Sequence, residues 1–110
     1  MPLMKLYVDQ NQPESVKTAL KGAMSDLRAL VCGRLDVPLA AAHLALIEHI
    51  GLPDQPQINI EIKYLGREDR TEDKIRSVGA EIRDKVAGLS GITPAVRMAM
   101  LRPEEYAALK

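Results

Sequence analysis

Residues 57–65, QINIEIKYL, constrain the fold more than any other stretch of this chain. Ile58, Ile60, Ile62 and Tyr64 alternate with Asn59, Glu61 and Lys63. A period of two is the pattern of a strand with one buried face. A strand is therefore fixed in mid-chain, and the segments on either side can be read against it. The run GLPDQP at 51–56 interrupts the chain just before it and is the best internal boundary. The charged loop GREDR follows at 66–70, and Thr71 then suits a helix N-cap with Glu72 and Asp73 in the first turn. Ile75, Val78, Ile82 and Val86 form one stripe at helical period, with Gly88 near the helix end. Gly79 costs helix stability, which fits a place where helix and sheet approach closely. Residues 95–101 read as a further strand with Val96, Met98 and Met100 on one face, and a short turn begins the tail at 102–106.

The first half has the same order. Residues 3–8 form a strand, and the polar run at 9–12 ends it. Pro13 and Glu14 open a helix, proline suiting the first helical position and the carboxylate the positive end. Val16, Leu20, Ala23, Leu27, Leu30 and Val31 make its apolar stripe, and Gly33 is expected to stop it with a left-handed cap. Residues 34–38 are a connector. Residues 39–50 are rich in Ala and Leu and read as helix by propensity, yet their length also suits a strand buried on both faces. The order of the second half selects a strand over residues 42–50.

The expectation is one domain over residues 1–110, built from pseudo-repeat halves at about 2–50 and 57–101. Each half is a βαβ unit, which implies a right-handed crossover and a parallel pair. The fold class is α/β (α+β): a four-stranded mixed sheet with both helices on one face. The second strand is apolar on both faces, and so is the fourth apart from Arg97. Two helices cover one side only, so the other side calls for a partner, and a symmetric homo-oligomer is the common solution.

Composition narrows the function. There is no Phe or Trp and only three Tyr, so the core must come from Leu, Ile, Val, Ala and Met. Fifteen basic and fifteen acidic residues cancel. That excludes the basic face of a nucleic-acid binder, and base-stacking aromatics are nearly absent. The single Cys32 rules out an intrachain disulfide, fits a reducing compartment, and reads as a small buried residue rather than a nucleophile. No apolar leader or run of roughly 20 residues points to secretion or a membrane, so a soluble cytoplasmic protein is expected.

Chemistry is concentrated at the start, MPLMKLYV. Methionine ahead of a small residue such as proline is usually trimmed, which makes Pro2 a secondary amine at the head of a strand. A free α-amine titrates at about pH 7.7–8. Burial lowers that value by penalising the charged form, which leaves a usable general base near neutrality. Arg34 and Arg97 each offer a planar fork for a carboxylate, and Arg97 interrupts an otherwise apolar strand. Lys63, Arg67 and Arg70 read as solvated or loop charges. His43 and His49 share one strand parity, a spacing compatible with metal but without a carboxylate cluster beside it, so a core or interface role is favoured.

These features together resemble the tautomerase superfamily. That group contains 4-oxalocrotonate tautomerase, 5-carboxymethyl-2-hydroxymuconate isomerase and macrophage migration inhibitory factor. The likeness rests on Met1-Pro2 leading straight into a strand and on the doubled βαβ order. Local matches add to it: Gly33-Arg34 after the first helix, IEIKYLG at 60–66, Ile92-Thr93-Pro94 before the last strand, VPLA at 37–40 and Leu101-Arg102-Pro103 in the tail. The last two look more like the hydroxymuconate isomerase branch. The resemblance implies a homotrimer whose sheets face inward, no cofactor and no metal, and a small enolisable 2-oxo or 2-hydroxy carboxylate as substrate. It makes Pro2 the proton shuttle and Arg34 the substrate-carboxylate cation, and it places the backbone of Ile62 on the pocket wall. Where the inhibitory-factor branch has an aromatic on the fourth strand, this chain has Arg97 or Met98, depending on a one-residue gap. Two rivals remain: a non-catalytic trimeric scaffold or small-molecule binding protein with the same fold, and an unrelated ferredoxin-like interaction module.

Overall fold

The computed structural model describes residues 2–110. Six main elements follow in order: β1 (Leu3–Asp9), α1 (Glu14–Leu35), β2 (His43–His49), β3 (Ile58–Leu65), α2 (Glu72–Ser90) and β4 (Ala95–Leu101). Single 3-10 turns at Leu39–Ala41 and Pro103–Glu105 complete the chain. The sheet order is β2-β1-β3-β4. β1 runs parallel to β2 and β3 parallel to β4, while β1 and β3 are antiparallel. The mixed sheet is therefore two parallel βαβ pairs joined back to back along β1 and β3. Within residues 39–50, Leu39–Ala41 is a 3-10 turn and His43–His49 is a strand despite the helical composition, because β1 supplies a parallel partner from Leu3↔His43 to Asp9↔His49.

Parity assigns the two faces of the sheet. Met4, Leu6 and Val8 on β1, with Ile58, Ile60, Ile62 and Tyr64 on β3, are buried against Leu20, Leu27, Val31 and Leu35 of α1 and Val78, Ile82 and Val86 of α2. Both helices thus lie on one face. The opposite face carries Leu3, Lys5 and Tyr7 beside Ala45, Ile47, Glu61 and Lys63, none of them fully buried. No helix among the described residues is long and apolar enough to cross a membrane.

One helix end departs from expectation. α1 does not stop at Gly33: it runs on to Leu35, and Asp36 takes the left-handed cap at φ 55° with its N–H donating to Cys32 O. The reason is tertiary. The extra half-turn carries Leu35 into full burial, and aspartate is among the residues that tolerate this conformation. α2 starts as expected but runs past Gly88 to Ser90. The Thr71 hydroxyl accepts from the Lys74 N–H at its start, and Gly91 at φ 74° closes it.

Candidate functional site

Pro2 is buried directly ahead of β1, and its carbonyl accepts from the His43 N–H at 3.0 Å. Continuing the registers by one residue sets Pro2 beside Ala42 on one side and Tyr64 on the other, in the row that ends at Met100. Its parity is that of Met4 and Leu6, so it belongs to the helix-covered face. Ala42 and Tyr64 are themselves buried. The trimming of Met1 concerns a residue outside those described.

The remaining sequence candidates do not all gather there. Arg34 lies in the last turn of α1, but its guanidinium is turned to α2. It forms an ion pair with Glu81 and donates to Ser77 Oγ at 3.1 Å. Ile62 occupies the next row in from Pro2, between Met4 and Met98. Arg97 pairs with Glu61 in register and donates to Asn59 Oδ1 at 3.1 Å, on the face away from the helices. Met98 has the other parity and lines a cleft between α2 and β4.

That cleft holds about 720 Å³ and is floored by Ile75, Val96, Met98 and Met100, with Tyr64 at the end nearest Pro2. Of the three arginines that line it, Arg70, Arg76 and Arg83, only Arg70 is buried, at 7% exposed. One Nη donates to Leu65 O and the other to Leu35 O at 2.9 Å, which staples the ends of β3 and α1 together. Its Nε is buried with no partner. Burial, and after it the charge of Arg67, draws this guanidinium below its ordinary value. Sequence reasoning took Arg70 for a loop charge. Nothing local distinguishes it from Arg67, which is exposed and forks onto Asp69. The bond of Arg70 to the distant Leu35 carbonyl, added to the local one to Leu65, singles it out.

The far end of the sheet is a polar clamp. Asp9, 3% exposed, accepts from Asn11 N at 2.9 Å and Gly51 N at 3.1 Å, and the first of these bonds holds its carboxyl below the usual range. Lys17, also buried, donates to Gln10 O at 2.9 Å and pairs with Glu48, which raises its value. His49 sits edge-on to Tyr7, with ring centroids 6.2 Å apart, and its Nδ1 is buried without a partner. Among the described residues no three His, Cys, Asp or Glu side chains gather as a metal site.

No protein-family profile matches the chain, and no curated protein matches its sequence. Solved structures do match its fold. A wild-type fused 4-OT symmetric trimer is 17% identical with TM-score 0.68, over 96% of this chain and 90% of that one. A macrophage migration inhibitory factor-like protein from Entamoeba histolytica is 11% identical with TM-score 0.71, over 97% and 94%. FG41 malonate semialdehyde decarboxylase, inhibited by 3-bromopropiolate, is 17% identical with TM-score 0.62, over 96% and 87%. The four-stranded mixed sheet with two helices is thus the fold of tautomerase and inhibitory-factor-like structures.

Proposed function

We propose that this chain is a cofactor-independent isomerase of the tautomerase superfamily, active once Met1 is removed, with Pro2 as its proton shuttle. The single observation behind this reading is that Pro2 is buried at the head of a central strand, beside Tyr64. Burial disfavours the ammonium form, so the amine takes a proton from the enol or from carbon near neutrality and returns it at another position. Negative charge gathers on the substrate oxygen during transfer and needs a fixed cation. In this reading Arg34 holds the substrate carboxylate in competition with Glu81, and Ile62 lines the wall. Met98, or Arg97 of a neighbouring copy, contacts the substrate from the fourth strand. The open face of the sheet and the trimer seen for fused 4-OT support a homotrimer. The substrate class is a small enolisable 2-oxo or 2-hydroxy carboxylate.

A second reading has its own support. Arg34 is already paired and Arg97 lies on the face opposite Pro2. A scaffold or binding protein that keeps this fold would look the same. Ketonisation of phenylenolpyruvate by wild type and Pro2→Ala separates the two, on samples whose intact mass shows Met1 removed. A loss of about 10²–10⁴-fold with unchanged circular dichroism is expected for an acid–base residue. Equal rates leave the scaffold.

A further inference from the structure

The α2–β4 cleft is chemically one-sided, and Pro2 does not line it. Three arginines face it, Arg70, Arg76 and Arg83, against one acid, Glu72. Glu72 is engaged by Arg76 at 3.1 Å, and Arg83 turns to Asp84 at 3.0 Å. Both pairs are exposed, and exposed pairs contribute little and exchange readily. Arg70 differs from these two. A guanidinium carries five N–H donors. Two are committed to carbonyls, and no acidic side chain among the described residues forms an ion pair with it. Its Nε has no partner at all. Asp69 and Asp36 act on it electrostatically without forming an ion pair, so an anion arriving in contact adds compensation that the fold leaves open. Beside it lie Val96, Met98 and Met100, unbranched thioethers among them that adapt to a hydrocarbon shape. The volume is in the range of small-molecule sites, which span roughly 300–1,000 Å³.

We propose that the α2–β4 cleft is a binding site for a small amphiphilic carboxylate, its head on Arg70 with Arg76 and Arg83 at the rim, its hydrocarbon on Val96, Met98 and Met100. The site does not require Pro2 catalysis, although it adjoins Pro2 through Tyr64 and shares Met98 with the substrate contact proposed above. With one N–H of each Nη committed to a carbonyl, the donors Arg70 has left are the second hydrogen on each Nη and the Nε–H, which a carboxylate oxygen can accept. The apolar floor rejects a ligand that is charge alone.

The test is calorimetry and ¹H–¹⁵N NMR on the full chain, with octanoate, octan-1-ol and acetate as probes. Octanoate is expected to bind at least about tenfold more tightly than either fragment probe, each of which loses one half of the recognition. The Arg70 Nε–H and Gly79 amide signals shift on binding. Arg70→Gln also removes two carbonyl anchors, so Met100→Glu is the decisive variant. Met100 is 54% exposed, and the substitution sets a carboxylate at the cleft without emptying the core. It weakens octanoate at least about tenfold, whereas Met100→Leu and Pro2→Ala leave the affinity unchanged. Octanoate that fails to bind, binds no better than octan-1-ol, shifts Lys5 and Lys63 instead, or ignores Met100→Glu overturns the proposal.

Discussion

The two halves of this molecule share one topology and treat it differently. In the first, α1 buries seven of its 22 residues, and Leu20, Leu27, Val31 and Leu35 close fully on β1 and its neighbours. In the second, α2 buries only four of its 19, and a hollow remains between it and β4. The cause lies in side-chain volume. Where α2 faces β4 it presents Gly79 and Ala80, and β4 answers with the flexible Met98 and Met100. The polar groups diverge in the same way. Asp9 and Lys17 are each tied to several partners, while Arg70 keeps donors in reserve. Duplicated architecture thus frees one half to hold the fold while the other carries a cleft.

The largest effect separates the halves by packing. Leu27→Ala deletes a fully buried side chain and is expected to lower unfolding free energy by about 3 kcal/mol, whereas Met98→Ala, beside an existing hollow, costs about 1 kcal/mol. Urea unfolding of both variants checks this, and equal losses would erase the distinction. Next comes the clamp of the first half. The folded-state value of Asp9 lies below its unfolded one. Ionised Asp9 therefore contributes stability above about pH 4, and the contribution is lost as pH falls through the folded value. Wild type should exceed Asp9→Asn in urea midpoint at pH 7, and the gap should narrow as pH falls below about 4. A gap that persists in acid would mean that the carboxylate charge is irrelevant. The smallest effect tests how far the second half yields. A Cβ on Gly79 would stand 3.2 Å from Met98 Sδ, the movable end of a side chain bordering open space. Helix propensity then prevails, and Gly79→Ala should stabilise by about 0.5 kcal/mol. Destabilisation in thermal melts would show that Met98 is held rigidly.

Much of this was legible in one dimension. The alternation at Ile58 to Tyr64 and the stripe from Ile75 to Val86 were read as they stand, because each pattern reflects a single buried face. Pro2 was singled out by its chemistry and its place ahead of a strand. The end of α1 was not legible, since it depends on where Leu35 finds burial. The partners of Arg34 were hidden too: Ser77 and Glu81 lie more than forty positions away.

Local pattern determined β3, α2 and the buried faces of β1 and β4, because periodic burial writes itself into neighbouring residues; β2 needed the pairing with β1 to be a strand. Tertiary structure alone decided which arginine is buried, which is ion-paired and which lies on the bare face. It also decided that a hollow opens beside one helix and not the other. Charge environment and void volume are set by groups remote in sequence, and the spacing of residues along the chain carries no record of them.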